Sequence, residues 1–239
     1  PSAMIGSRQG WKEPPYLECP ASMGEASARL ARVDVSASAT LHIVPGLSCI
    51  GVDGQHDVMR GEETQLWGAE LPSGCCCVLP GTHSKWAWAG EGGRVERFET
   101  YMTGELYGLL TKHGILGRLM KFGSPDKAAF DAGVLLGLEN YARATHAIFS
   151  ARTAGLMDRL APEALPDFLS GIVIGVEIGG GMQSTKDRAV VLLGDDDLCE
   201  RYETALRIAG LCSTRGTDGA TTRGQWQVAQ AAGLLEVQR

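Results

Sequence analysis

A short polar turn between two apolar stretches is the first place where residue types suggest chemistry. Residues 78–86 read Val-Leu-Pro-Gly-Thr-His-Ser-Lys-Trp, which predicts a strand, a turn and a second strand. Glycine lets a backbone approach an anion closely, successive N–H groups can form an anion-binding nest, and hydroxyls add further donors. Taken alone, an ordinary polar hairpin explains the segment equally well. The candidate phosphate ligands are Gly81, Thr82, His83, Ser84 and Lys85.

Two adjacent acids stand at the start of a predicted helix over residues 62–70. Acidic residues in the first turn of a helix commonly serve only as partners of the helix dipole. Alternatively, one of them is a general base for a hydroxyl, while Arg60 holds an anionic group through two parallel hydrogen bonds. The register is open by one residue, so both Glu62 and Glu63 are candidate catalytic residues.

The composition is that of a globular protein and excludes several classes of function. Of 239 residues, 44% are hydrophobic and 21% are charged, and the net charge is −6 with scattered basic residues. A nucleic-acid partner selects a basic face, so none is expected, and no apolar run reaches the length of a membrane span. The seven cysteines have no CxxC spacing, which predicts no protein metal site. Their odd number and the lack of a secretory segment favour a reducing cytoplasm.

The sequence pattern that positions these candidates changes along the chain. Residues 1–68 are rich in predicted loops, whereas residues 69–239 contain predicted strands followed by long helices. Helices packed on a sheet indicate an α/β fold. Thr103 is expected to cap the helix that follows the third predicted hairpin strand. The predicted strands cover 3–6 (the end of a strand), 41–44, 75–79, 85–89, 94–102 and 188–193. The predicted helices cover 62–70, 103–113, 126–149, 162–182, 195–208 and 224–235.

The order of the motifs resembles that of carbohydrate kinases with the actin/hexokinase (ribonuclease H-like) superfold. In those kinases a Gly-acid helix start supplies the catalytic carboxylate, usually Asp where this chain has Glu, and the next hairpin is the second phosphate loop. A closer resemblance is to the 2-dehydro-3-deoxygalactonokinase family. It is carried by segments in the family's order over residues 4–7 with Gly10-Trp11, 58–65, 80–86, 102–106 and 168–171.

The resemblance implies an activity and a division of labour. Members of the family use Mg²⁺ and transfer the ATP γ-phosphate to the 6-hydroxyl of 2-dehydro-3-deoxy-D-galactonate, a step of galactonate catabolism. Domain I, here 1–68, would bind the sugar acid and carry the catalytic carboxylate. Domain II, here 69–239, would bind ATP. The active site would lie in the cleft between them. The implied sugar-acid ligands are Gly6, Ser7, Trp11, Arg60 and Glu105. Gly194, after the apolar run 190–193, is the implied nucleoside contact.

The resemblance also leaves a gap and two alternatives. No segment matches the Asp-Trp-Gly-Thr type hairpin that opens family members, so we expect domain I to be incomplete and to lack the first phosphate loop. One alternative is a kinase for another sugar or sugar acid, such as 2-dehydro-3-deoxygluconate. The other is a non-catalytic sensor of sugar or nucleotide with the same superfold. Small molecules are the expected partners, with a homodimer as one possible assembly.

Overall fold

The computed structural model describes residues 1–7, 10–37, 39–51, 53–185 and 189–235 and shows a mixed α/β fold. Its strands are β1 (Leu17–Glu18), β2 (Ala31–Ser36), β3 (Ala39–Ile43), β4 (Leu47–Ile50), β5 (His56–Met59), β6 (Cys76–Leu79), β7 (Ser84–Ala89), β8 (Val95–Tyr101), β9 (Val190–Leu192) and β10 (Ser213–Arg215). Its α-helices are α1 (Met23–Ser27), α2 (Glu62–Gly68), α3 (Thr103–Lys112), α4 (Lys127–Glu139), α5 (Ala144–Leu156), α6 (Leu165–Gly181), α7 (Asp196–Ile208) and α8 (Ala220–Ala231).

The described residues pack as two compact units that interleave along the chain. Unit 1 comprises Pro1–Leu79, Trp86–Thr100 and Arg215–Arg239, and unit 2 comprises Pro80–Lys85 and Tyr101–Thr214. The sequence predicts two consecutive segments, 1–68 and 69–239, so the packing groups the chain differently. The assignment of those segments to sugar-acid and ATP binding stays a prediction.

Unit 1 combines short sheets with two packed helices. In one sheet β4 lies between β1, to which it is parallel, and β5, to which it is antiparallel, while β2 and β3 form an antiparallel pair. Strands β6, β7 and β8 are successive neighbours. The Asp57 carboxylate on β5 accepts hydrogen bonds from the amide (2.6 Å) and hydroxyl (2.7 Å) of Thr100 on β8. Helices α2 and α8 touch at glycines, since a Cβ on Gly68 would lie 2.0 Å from the Ala220 carbonyl oxygen.

Unit 2 is built around the long apolar helix α6. Glycines let it approach α4 so closely that a Cβ on Gly133 or Gly171 would lie 2.2 Å from a carbonyl oxygen of the facing helix. Helix α6 buries Leu165, Leu169 and Ile172 in the core. The stretch Leu165–Ser184 is long and apolar enough to cross a membrane, but 78% of its most apolar part is buried inside the fold. That burial is typical of a core helix in a globular protein.

Several predicted elements are confirmed with small shifts, including the helix after Gly61, the β6–β7 hairpin and α7, whose side-chain cap is Asp195. Residues 3–6 form a 3₁₀ helix, so the predicted strand end is wrong. The predicted helix 126–149 is two helices, because Asn140 leaves the helical conformation (φ −122°) and its side chain bonds to the Leu136 carbonyl. In the predicted strand 188–193, Arg188 lies outside the described residues.

Two helix starts also differ from the prediction. Thr103 does not cap α3 but is its first residue, and its hydroxyl instead hydrogen-bonds to the phenol of Tyr202. Helix α8 begins four residues before Gly224, directly after Gly219. Gly224 therefore lies inside the helix, where a Cβ would lie 1.8 Å from the Thr64 carbonyl oxygen. In both places a tertiary contact decides the role that the local sequence left open.

Candidate functional site

The Gly81–Thr82 turn of unit 2 lies at the mouth of an open cavity of about 550 Å³. Apart from Gly81 and its two chain neighbours, no atom of the residues that the structure describes lies within 4 Å of the position that a Cβ on Gly81 would take. Nothing in the described fold therefore requires glycine at this position. Space left above a glycine in a cavity is what a ligand approaching the backbone needs. The cavity is lined by Pro80, Gly81, Thr82, Thr103, Gly104, Tyr107, Ser170, Val173, Ile174, Asp195, Leu198, Arg201 and Tyr202.

The start of α3 fastens the turn from one side. The Glu105 amide donates to the Thr82 carbonyl at 3.0 Å, and the Glu105 carboxylate pairs with the His83 ring. Gly104 leaves no room for a side chain, because its Cβ would lie 2.5 Å from the Gly81 carbonyl oxygen. The structure thus brings Glu105 to the predicted phosphate turn and joins it to a predicted phosphate ligand.

The other predicted ligands of the turn differ in exposure. Thr82 and His83 are exposed, whereas Ser84 and Lys85 are buried. Ser84 Oγ accepts from the Gly81 amide at 3.3 Å, and Lys85 Nζ donates to the His83 carbonyl at 3.0 Å. The two buried side chains therefore hold the turn from inside, and Thr82 and His83 present it to solvent. Gly194 lies beside the first residue of the turn, since a Cβ on Gly194 would lie 3.5 Å from the Pro80 carbonyl oxygen.

In unit 1, Arg60 is a half-buried cation with unused donors. Its Nη2 donates to the Pro14 carbonyl at 3.2 Å, and its guanidinium stacks on the Tyr16 ring with the centroid 4.3 Å away. Its Nε and Nη1 are buried and have no hydrogen-bond partner within the described part of the chain. Gly6 makes space beside it, since a Cβ there would lie 3.1 Å from Nη1. An unsatisfied buried guanidinium is costly, so these donors suit an anionic ligand.

The two candidate bases occupy different environments at the start of α2. The Glu62 carboxylate is half-buried and accepts from the Arg60 amide at 3.0 Å. Glu63 is completely buried, and its Oε2 accepts from the Gly61 amide at 2.6 Å. Gly61 needs to be glycine, because its φ is +115° and a Cβ would lie 2.8 Å from that of Ala3. Of the two carboxylates, only that of Glu62 is accessible to a substrate hydroxyl.

Burial also changes the protonation of Glu63. Removal from water disfavours the carboxylate form, and the neighbouring charge of Glu62 adds to the effect, so the pKa of Glu63 rises from 4.5 to about 8. At neutral pH Glu63 is therefore mostly protonated. A buried neutral acid that supports the helix start is a poor proton acceptor.

The raised pKa predicts a pH dependence of stability. Between pH 4.5 and about 8 the unfolded chain ionises Glu63 while the folded protein keeps it protonated, so rising pH favours unfolding across this window. We expect Glu63→Gln to remove this loss, which is on the order of 3–5 kcal/mol over the full window. Denaturant unfolding of both proteins at pH 5.5, 7.0 and 8.5 measures the difference. Stability curves that stay parallel over this range would contradict the assignment.

The remaining predicted sugar-acid ligands lie in unit 1 near the chain start. Ser7 is half-buried, and Trp11 is 66% exposed with its amide bonded to the Ile5 carbonyl. Arg8 and Gln9, which stand between them, lie outside the described residues. Unit 1 thus brings Gly6 to Arg60 beside the two acids. Of the predicted sugar-acid ligands, Glu105 belongs to unit 2.

Sequence reasoning missed two polar residues close to the turn, Glu177 and Tyr202. Tyr202 lines the cavity, and its hydroxyl lies 3.0 Å from Ser84 Oγ and donates to Glu177 Oε2 at 2.5 Å. The available signal was an acid inside the apolar stretch 172–178, which favours a buried hydrogen-bonded role. Within the described ranges, no group of three or more His, Cys, Asp or Glu side chains is arranged to hold a metal ion.

Comparisons with known proteins confirm the resemblance. A model of the 2-keto-3-deoxy-galactonokinase family matches residues 2–228. A Rhizobium meliloti (strain 1021) protein named a probable 2-dehydro-3-deoxygalactonokinase is 41% identical over 217 residues, covering 87% of this chain and 69% of the relative. The 2-dehydro-3-deoxygalactonokinase of Escherichia coli (strain K12) is 36% identical over 222 residues, covering 92% and 73%.

A solved structure gives the same answer for the fold. The crystal structure of a Sinorhizobium meliloti protein assigned as a 2-dehydro-3-deoxygalactonokinase matches with a TM-score of 0.86 and 38% sequence identity. The match covers 97% of this chain and 79% of the other. The chain therefore belongs to the 2-keto-3-deoxy-galactonokinase family.

Proposed function

We propose that this chain is a cytoplasmic ATP-dependent kinase that transfers the γ-phosphate to the 6-hydroxyl of 2-dehydro-3-deoxy-D-galactonate in galactonate catabolism. Family membership supports the reaction class, and the names of the relatives support the substrate. The observation that carries the proposal within the molecule is the buried guanidinium of Arg60 with two unpartnered nitrogens among the described residues. A sugar acid has the carboxylate that such a group requires, and a neutral sugar lacks it.

Arg60 and the acids of α2 would bind and activate the sugar acid. The Tyr16 ring and the Pro14 carbonyl fix the guanidinium plane. One unpartnered nitrogen, together with the second N–H of Nη2, would donate to the carboxylate. Glu62, the accessible acid, would accept the proton of the attacking hydroxyl. Glu63 would remain protonated and accept from the Gly61 amide, which fixes the start of the helix that carries Glu62. Gly6 and Ser7 would line the same part of unit 1.

The cavity of unit 2 would receive ATP. Gly81 leaves space for phosphate oxygens, while the Thr82 hydroxyl and the amides of Thr82 and His83 would donate to them. The apolar walls around Val173, Ile174 and Leu198 suit a nucleoside. In this assignment Lys85 acts through the His83 carbonyl and makes no phosphate contact.

Magnesium would come to the site with the nucleotide. Mg²⁺ keeps several water ligands and usually takes only one or two protein carboxylates beside substrate phosphates. The cavity offers one candidate, Asp195, but that carboxylate already caps α7 by accepting from the Asp197 and Leu198 amides. When bound, Mg²⁺ would neutralise charge on the phosphates, while Thr82 would donate to them and Glu62 would act as the general base.

We place the chain in the actin/hexokinase (ribonuclease H-like) superfold, which is a finer statement than the mixed α/β fold. The supporting order is α2 with its acids, then the β6–β7 hairpin with Gly81-Thr82, then the long helices of unit 2. In this assignment residues 1–68 serve the sugar acid and 69–239 serve ATP.

The test is a coupled assay of ADP release from the purified protein with Mg²⁺ and ATP. We expect turnover with 2-dehydro-3-deoxygalactonate and at least tenfold lower kcat/KM with its 2-dehydro-3-deoxygluconate epimer. Phosphate on the 6-hydroxyl is located by ³¹P–¹H NMR of the product. Equal rates with both epimers would reject the substrate assignment, and ATP binding without turnover on any sugar acid would favour the sensor alternative.

Arg60→Ala should weaken sugar-acid binding by about 10- to 100-fold, because hydrogen bonds to a charged group contribute roughly 1.5–3 kcal/mol. ATP binding should change less than twofold. Calorimetric titration of each ligand into the variant measures both values. Arg32→Ala, which removes an exposed arginine of the same unit, is the matched control and should bind like the parent. A variant that loses ATP affinity and keeps sugar-acid affinity would assign Arg60 to the wrong ligand.

A further inference from the structure

Three buried polar side chains form a continuous hydrogen-bonded network beside the Gly81–Thr82 turn. They are Ser84 on β7, Glu177 on α6 and Tyr202 on α7, and none is more than 1% exposed. The phenol oxygen of Tyr202 lies 2.5 Å from Glu177 Oε2 and 3.0 Å from Ser84 Oγ. Ser84 Oγ in turn lies 3.3 Å from the amide nitrogen of Gly81. The helical core of unit 2 is thus linked to the turn by polar contacts alone.

The available donors and acceptors determine which group donates each hydrogen bond in this network. A carboxylate only accepts, so the single proton of the Tyr202 phenol is donated to Glu177. The Ser84 hydroxyl then has the phenol oxygen as its nearer acceptor, at 3.0 Å, and the Gly81 carbonyl oxygen as a longer one, at 3.4 Å. Its lone pair accepts from the Gly81 amide. Burial and the charge of Glu177 raise the pKa of Tyr202, so the phenol stays a donor at neutral pH. Each of the three side chains is buried, so removal of the Tyr202 hydroxyl takes a donor from Glu177 and the nearer acceptor from Ser84, where water cannot replace them.

We propose that Tyr202 and Glu177 are positioning residues for the nucleotide, acting through Ser84 to hold the turn in the conformation that receives the phosphates. The inference rests on the kinase function proposed above. With the Gly81 amide bonded to Ser84, the exposed Thr82 lines the cavity and His83 is exposed beside it. The Glu105 amide fixes the Thr82 carbonyl from the opposite side. A turn held at both ends loses little conformational entropy when the phosphates bind.

The experiment measures ATP binding to Tyr202→Phe, which keeps the ring and removes only the hydroxyl. We expect the Kd for ATP to rise about tenfold, the Kd for the sugar acid to change less than twofold, and kcat at saturating ATP to fall less than threefold. Ser84→Ala should give the same pattern. The double variant should be no weaker than either single variant by more than twofold, because both changes break the same hydrogen bond.

Tyr141→Phe is the matched control, since this tyrosine of unit 2 is 39% exposed and lies outside the network. It should bind ATP like the parent. If Tyr202→Phe and Ser84→Ala lower the melting temperature but bind ATP like the parent, the network is only structural and the proposal is wrong. Multiplying effects in the double variant would also overturn it. Failure of the parent to bind ATP would instead reject the kinase function, and the inference with it.

Discussion

Glu62→Gln should lower turnover by about 10³- to 10⁴-fold while the Kd for ATP stays within twofold of the parent. The glutamine keeps an oxygen for the Arg60 amide, so the start of α2 is preserved. It cannot accept a proton, and removal of a general base typically costs about 10²–10⁴-fold. Steady-state kinetics at saturating ATP and sugar acid, together with calorimetric ATP titration, give both quantities.

Glu63→Gln is the matched control, because it makes the same chemical change one residue away. Because Glu63 is buried and mostly protonated, an amide in its place should reduce turnover by less than tenfold. If Glu63→Gln is the more damaging change, the base is Glu63 and its raised pKa tunes it for the reaction. If both variants turn over near the parental rate, neither carboxylate is the base.

Gly81→Val should raise the Kd for ATP by more than 100-fold and leave the folded structure unchanged. Apart from the two chain neighbours, no described atom lies within 4 Å of the new Cβ, so the first carbon of the side chain finds open space and extends into the region assigned to phosphate. Thr82→Ala should be milder, at roughly 1.5–3 kcal/mol for one hydrogen bond to a charged group. Calorimetric titration in excess Mg²⁺ measures each variant after its circular dichroism has been compared with the parent.

Gly108→Val provides the control for the same substitution in unit 2. Within the described residues its Cβ position is also open, but it lies on α3 outside the cavity. It should bind ATP like the parent. Parental ATP affinity in both Gly81→Val and Thr82→Ala would mean that the turn binds no phosphate, and the chain would then be better described as a sugar-binding relative.

The local sequence was sufficient to predict those helices and turns whose conformation depends mainly on their own residues. The acids at 62 and 63, the Gly81 turn and the Asp195 cap all lie in the predicted type of element, because helix starts and tight turns are specified within a few positions. The sequence indicates mostly loops over residues 1–68, yet they contain the short strands β1 to β5. Strands of two to six residues show too little alternation to be recognised before their partners are known.

The site was less predictable, because its decisive features are tertiary. No pattern distinguishes the accessible Glu62 from the buried Glu63, which are adjacent and identical in type. The roles of Ser84 and Tyr202 depend on a hydrogen bond across 118 positions of sequence. Likewise, the sequence names Arg60 as a cation, but its unused donors appear only once Pro14 and Tyr16 have occupied the rest of the guanidinium.

The glycines between α4 and α6 have a consequence for how variation in this family is interpreted. At Gly133, Gly137, Gly171 and Gly175 even a methyl group would meet the backbone of the opposite helix at 2.2–2.4 Å, although none of these residues lines the cavity above Gly81. Such positions tolerate no replacement for reasons of helix spacing alone. In unit 2, a residue that does not vary among homologues could therefore be kept either for catalysis or for the close packing of α4 and α6. Only substitutions that leave the distance between these helices unchanged can distinguish the two reasons.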